Sequence, residues 1–184
     1  MEMVDVLNED GSPTREVVSK VEVHEKGLWH RAAHIWFVNS KNEILLQQRA
    51  EHIESHPGEY DISAAGHLQA GDSRIEGALR EIEEELGIKL KEDDLIKLGE
   101  LRQESTQYDG KYINKEHNDV YVVKKDIPIS DFTIDESEVD HIEYVPIDKF
   151  KKWISERKED LVMHPGEFEL LFDHLSLNQN LQKN

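Results

Sequence analysis

No cysteine occurs anywhere in the chain. That absence excludes a disulfide framework, a cysteine-ligated zinc ribbon and a thiol nucleophile. No apolar run approaches the ~20 residues that a membrane-spanning helix requires. The N-terminal stretch MEMVDVLNEDGSPTREVV is acidic and lacks an apolar segment, so it does not read as a secretory signal. Basic residues are scarce: 22 Lys and Arg stand against 40 Asp and Glu, for a net charge of −18. Such a chain repels nucleic-acid backbones, and no basic stripe interrupts the acidity. Long linkers, internal repeats and low-complexity segments are missing too, and 184 residues suit a single domain, 1–184, with a full hydrophobic core. The expectation is a soluble, cytoplasmic protein that acts on small molecules and engages neither a nucleic acid polymer nor a membrane.

What is present is concentrated in Gly66–Ile88, GHLQAGDSRIEGALREIEEELGI. Ser73 followed by Glu76 forms a capping box, and Gly87 is a C-terminal stop, so the spacing predicts one helix between them. At about 100° per residue, Glu81, Glu84 and Glu85 fall within roughly 100° of one another on its circumference. Ile75, Leu79, Ile82 and Leu86 form a separate apolar stripe. Glu83 points elsewhere and reads as a solvated charge. An acidic amphipathic helix alone needs no metal. Carboxylates held this close do repel one another, however, and a cation offsets the repulsion. Oxygen ligands on a rigid helix suit Mg²⁺ or Mn²⁺, ions that commonly accompany phosphate chemistry.

Elsewhere, residues 18–24 alternate like a strand. Residues 31–38 and 43–49 read as a β-hairpin across the polar turn Asn39–Asn42. Tyr60–Ala65 leads as a short strand into the acidic segment. Segments 95–104, 118–124 and 142–145 are further strands, with a loop over 105–116. Phe150–Glu156 and Glu167–Leu175 read as helices. The tail after about residue 177 reads as frayed. Strands around one long internal helix, with another near the end, give an α+β sandwich.

The acidic segment resembles the signature of the Nudix hydrolases: Gly, five residues, Glu, seven residues, Arg-Glu, an aliphatic, any residue, Glu-Glu, any residue, Gly, aliphatic. Gly66, Arg80, Glu81, Ile82, Glu84, Glu85, Gly87 and Ile88 match. Asp72 departs, standing where the family has Glu. The resemblance implies a Nudix-type α/β/α sandwich with a mixed β-sheet. It also implies water attack on phosphorus in a nucleoside diphosphate or a nucleoside diphosphate derivative, with Mg²⁺ or Mn²⁺ as cofactor. Glu81, Glu84 and Glu85 are the expected metal ligands, and the backbone carbonyl of Gly66 adds another. Arg80 organises the carboxylates. The general base is drawn from Glu81 or Glu84, or by residue type from Glu116, Asp119, Glu136 or Glu138. The expected partner is a small-molecule diphosphate, and the reading allows a homodimer.

A closer resemblance, over about residues 1–125, is to the branch of isopentenyl-diphosphate isomerase. It rests on GLWHRAAHIWFVN, ILLQQRA, PGEYDISAAGHLQAGDS and LREIEEELGI. In those enzymes three histidines and two acids bind a divalent metal. The resemblance implies a second metal site from His24, His30 and His67, with His117 and Asp119 at the positions of the acids. The spacing of His24 and His30 is one residue shorter than the isomerase pattern. Imidazole with carboxylate suits Mn²⁺ or a similar transition ion. Arg49 matches a diphosphate-binding arginine, whereas Ile53 stands where a lysine is common. Lys111 or Lys115 from the 105–116 loop are substitutes by type. Trp29, Tyr60 and Tyr108 are candidates for stacking on a base. The isomerases also place a proton-transferring cysteine where this chain has Ala65, and a methyl group carries no proton. Hydrolysis is therefore expected over isomerisation, and an inactive diphosphate-binding module is the third reading.

Overall fold

Local capping signals and strand alternation set most of the elements. A computed structural model of the chain describes residues 2–53 and 55–181, with side chains as far as Leu177. Strands β1 (Met3–Leu7) and β2 (Pro13–Ser19) form an antiparallel hairpin that runs into helix α1 (Lys20–Lys26). β3 (His30–Val38), β4 (Glu43–Arg49), β5 (Tyr60–Asp61) and β6 (Ala64–His67) precede the acidic helix α2 (Arg74–Leu86). After it come β7 (Ile96–Gln107), β8 (Tyr112–Lys124), β9 (Val139–Pro146), α3 (Ile147–Glu156) and α4 (Pro165–Leu181).

β3 to β9 build a mixed sheet in the order β5-β4-β3-β8-β7, with β6 beside β3 and β9 beside β4. The β3–β8 pair is parallel and the others are antiparallel. Side chains alternate across a strand, and on β3 the alternation divides two cores. Ala33, Ile35 and Phe37 pack with Ala78, Ile82 and Leu86 of α2. Trp36 and Val38 pack with Phe150 of α3 and with Phe168 and Leu171 of α4. Helices thus cover both faces, the expected α/β/α sandwich. Val4, Val6, Val18 and Val23 form a small separate core under the N-terminal hairpin, an element the sequence pattern did not suggest.

Three expectations change. Residues 18–24 are the end of β2 and most of α1, not one strand. The Ser19 side chain accepts from the Glu22 N–H at 3.1 Å, and this N-cap starts a helix that Gly27, at φ 60°, ends. The segment 60–65 is two strands broken at Ile62 and Ser63. The Ser63 hydroxyl accepts from the Phe37 N–H at 2.8 Å and donates to the Leu45 carbonyl, so it replaces ladder bonds there. The 105–116 loop is mostly sheet, with a tight reversal at Tyr108, Asp109 and Gly110, all at positive φ. The backbone of α4 extends to Leu181, and residues 182–184 of the tail lie outside the described residues. Among the described residues, no helix is long and apolar enough to cross a membrane.

Candidate active site

The acidic helix begins with the predicted capping box. The Ser73 hydroxyl accepts from the Glu76 N–H, and the Glu76 carboxylate accepts from the Ser73 N–H at 3.0 Å. Gly87, at φ 67°, closes the other end. The helix side that carries Glu81 and Glu85 is not solvated: both are buried, at 7% and 5% exposure, whereas Glu84 is open to solvent. Ile75 and Leu79 are only partly buried, so the apolar stripe centres on Ala78, Ile82 and Leu86. Glu83 is exposed and pairs with Lys89, as a solvated charge does.

Arg80 organises one edge of the cluster. Its Nη1 donates to Glu81 Oε1 at 2.7 Å and to Glu84 Oε2 at 2.8 Å. Its Nη2 donates to the His67 carbonyl at 2.8 Å and to Asp72 Oδ2 at 3.2 Å. The shorter acid at 72 therefore still reaches the guanidinium, and it also accepts from the Gln69 N–H. Glu85 Oε2 accepts from the Ala65 N–H at 3.1 Å. Gly66 lies against the Glu81 carboxylate so closely that a Cβ there would stand 2.0 Å from Oε2.

Electrostatics shows what this arrangement lacks. Burial pushes the Glu81 carboxyl up to about 7, although Arg80 pulls the other way. Burial, then the charges of Glu138 and Glu81, hold Glu85 well above the usual carboxylate range. Two buried acids that their protein partners do not fully stabilise as anions are suited to a divalent cation, which restores the charged form. Mg²⁺ or Mn²⁺ fits this oxygen donor set.

A second cluster lies in the same cleft of about 1720 Å³. The imidazoles of His24 (α1), His30 (β3) and His67 (β6) offer ligand atoms within 4.8 Å of one another. His24 Nδ1, His30 Nε2 and both His67 nitrogens are buried without a hydrogen bond. Burial and the two other rings depress His24 to about 3; burial lowers His67 despite Glu116. Clustered imidazole nitrogens without a hydrogen-bond partner are what a transition ion requires.

The acid beside these rings is Glu116, with Oε1 at 3.3 Å from His67 Nε2 and 3.6 Å from His30 Nε2. Asp119 and His117 are not there. β8 runs parallel to β3 with His30 opposite Glu116, so Glu116 and Asn118 share the histidine face while His117 and Asp119 share the other. Asp119 is fully buried among Arg31, Arg74 and Lys97, tying β3, α2 and β7 together. His117 lies beside Trp29 and Glu100.

A model of the NUDIX domain matches residues 28–164, most of the chain. The chain belongs to the Nudix family. It is 43% identical over 179 residues to Nudix hydrolase 3 of Arabidopsis thaliana, covering 94% of this chain but only 23% of that protein. It is 31% identical over 168 residues to an isopentenyl-diphosphate Delta-isomerase of Pectobacterium atrosepticum, covering 91% of this chain and 85% of the isomerase. The fold is shared with DR0079 of Deinococcus radiodurans, at a TM-score of 0.67, 16% identity and coverage of 92% and 97% of the two chains. Nudix proteins generally use divalent metals and act on small molecules.

Around the Nudix signature, the other candidates sort by position. Arg49 lines the cleft, where Nη1 donates to Asp61 Oδ2 at 3.2 Å and Nε to the Ser55 carbonyl at 2.9 Å. Ile53, Lys111 and the half-exposed Tyr108 line it too. Lys115 instead stands over Trp29, and Trp29 is buried outside the cleft. Tyr60 packs on Trp153. Of the acids named as bases, Glu138 lines the cleft near Glu85 and Glu116 faces the histidines, whereas Asp119 is sealed in its ion cluster. Sequence reasoning missed His34, Asp61, His164 and Glu167, a buried polar group on the cleft wall. The one signal for it was two histidines within otherwise apolar runs, and that signal has no local partner.

Proposed function

We propose that this chain is a divalent-metal-dependent pyrophosphohydrolase that cleaves the P–O–P bond of a nucleoside diphosphate or nucleoside diphosphate derivative by water attack on phosphorus. The observation that carries the reading is the pair of buried carboxylates, Glu81 and Glu85, open to a cleft and short of cationic partners. Mg²⁺ or Mn²⁺ there, when bound, neutralises phosphate charge and lowers the pKa of water. Glu81, Glu84 and Glu85, with the Gly66 carbonyl, are the groups that would hold it. Arg80 fixes the rotamers of Glu81 and Glu84, and Arg49 offers a guanidinium to the phosphates. Glu138, beside Glu85, is our choice of general base.

His24, His30, His67 and Glu116 are proposed to hold a second ion, with Glu116 in the place expected of Asp119. That cluster and the isomerase relative favour a second reading, isomerisation of an isoprenoid diphosphate. Ala65 counts against it, because that position carries no acidic proton. A phosphate-release screen of nucleoside di- and triphosphates, sugar nucleotides and isoprenoid diphosphates, with Mg²⁺ and Mn²⁺ compared, tests the hydrolase. We expect release that Glu84→Gln or Glu85→Gln abolishes in a folded protein. Full activity in either variant removes the metal assignment. Solvent deuterium entering the carbon skeleton of isopentenyl diphosphate would instead support the isomerase.

A further inference from the structure

The cleft wall carries a second set of histidines that the signature does not use. His34 (β3), Asp61 (β5) and His164 and Glu167 (the start of α4) are each less than one-tenth exposed. His34 Nδ1 pairs with Glu167 Oε1 at 2.6 Å. Trp36 Nε1 donates to Glu167 Oε2 at 3.2 Å, so both oxygens of that carboxylate are committed. His164 bridges the carboxylates, with Nε2 at 2.8 Å from Asp61 Oδ1 and Nδ1 at 3.5 Å from Glu167 Oε1. Arg49 caps the other Asp61 oxygen. In their charged forms His34, His164 and Arg49 supply three positive charges against two from Asp61 and Glu167, which leaves +1.

That surplus lies on the wall of a cleft that also holds the carboxyl groups of α2. A clamp that merely docks α4 on the sheet would need no surplus and no opening to the cleft. His34, Arg49 and His164 all line it. Across the ladder from His34 stands the small side chain of Ala65 on the same face, and the His34 ring, though only 6% exposed, borders the cleft. Nδ1 belongs to Glu167, so Nε2 is the ring atom left for an occupant.

We propose that His34 Nε2, presented by Glu167 beside Arg49, donates to an oxygen of the phosphate group that is not attacked, making this wall the anion half of the diphosphate site. For its ligand class the proposal rests on the hydrolase reading above. Glu167, His164 and Asp61 are positioning residues: they orient His34 and keep its proton. Burial alone would lower His34, but the Glu167 charge and hydrogen bond outweigh it, aided by Glu116 and Asp61, and raise it to about 9. His164, facing Asp61 and Glu167, is raised in the same way. His34, His164 and Glu167 are also close enough to grip a metal ion. His34 Nδ1, the His164 nitrogens and both Glu167 oxygens already face partners within the group, and the net positive charge opposes an ion.

The test uses the full chain, ¹⁵N-labelled at histidine, with Mg²⁺ and methylenediphosphonate as a probe that cannot be hydrolysed. We expect the His34 ring resonances, assigned by their loss in His34→Gln, to shift on binding. His34→Gln should bind the probe about tenfold or more weakly. Wild-type affinity should fall as pH rises through about 9 more steeply than that of the variant. If His34→Gln does not fold, His34→Asn supplies both the assignment and the comparison. Probe binding that leaves His34 unmoved and the variant unimpaired overturns the proposal. So does Mn²⁺ broadening of the His34 and His164 signals without any effect of the probe. Phosphate release with His34 silent would sink this inference and spare the hydrolase; a His34 shift with no release from any diphosphate would do the reverse.

Discussion

Replacing Gly66 by alanine separates catalytic geometry from folding. The added Cβ would stand 2.0 Å from Glu81 Oε2 and 2.2 Å from its Cδ, where ordinary contact begins near 3.4 Å. The carboxylate must therefore retreat by about 1.4 Å, the difference of 3.4 and 2.0. A Mg²⁺–oxygen bond of about 2.0–2.1 Å tolerates a few tenths of an ångström, so the Glu81 ligand is lost. A misplacement of that size costs on the order of 10²-fold in rate. Stability should hardly change. Gly66 does not adopt a positive φ, and what gives way is the end of a flexible side chain. Removing backbone freedom from the unfolded chain even favours alanine by about 0.4–1 kcal/mol. The assays are Mn²⁺ binding by electron paramagnetic resonance, phosphate release and thermal melting. The expected outcome is weakened Mn²⁺ binding and a rate loss near 10²-fold, with Tm within about 4 °C of the parent. An alanine variant with unchanged ion affinity and rate would refute the role of Glu81.

Three further outcomes follow from the packing. Asp119→Ala removes the buried carboxylate that Arg31, Arg74 and Lys97 share and leaves them Glu100; because Arg74 and Lys97 are half-exposed, urea unfolding should show a loss of about 1–3 kcal/mol; no measurable loss would mean that the cluster does not tie the elements together. Ser73→Ala removes the capping box and should cost about 1 kcal/mol by the same measurement. His34 is raised from 6.5 to about 9, so its stabilisation is complete below about pH 6.5 and is lost as pH climbs through 9. That shift corresponds to about 3 kcal/mol. Urea midpoints should fall over this window in the wild type and stay flatter in His34→Gln. Asp61 and Glu167, both lowered by their histidines, act in the opposite direction, stabilising above the usual carboxylate range and failing in acid.

How much of this the chain discloses depends on the range of the determining contact. α2 was legible because its start and stop lie in its own residues: Ser73, Glu76 and Gly87. The carboxylate cluster was legible for the same reason, since helical spacing alone gathers Glu81, Glu84 and Glu85. Residues 18–24 misled because the spacing of Val18, Val21 and Val23 mimics a strand, whereas the Ser19 cap decides the outcome. Burial of Glu81 and Glu85 was invisible, as it depends on β6 and Gly66 covering the helix from outside. The choice of Glu116 over Asp119 is a matter of parity on β8, fixed only by its register with β3. His34 and Glu167 lie 133 residues apart, and no local pattern joins them.

The central claim is that a divalent ion held by the α2 carboxylates directs water to phosphorus. The most direct measurement is turnover of the best diphosphate in H₂¹⁸O with Mg²⁺, comparing the wild type with Glu85→Gln by mass spectrometry of the products. The account predicts one ¹⁸O in a phosphoryl product of the wild type and none above background in the folded variant. Label incorporation at equal rates in both proteins, or no phosphorus–oxygen cleavage with any diphosphate and either ion, would contradict it.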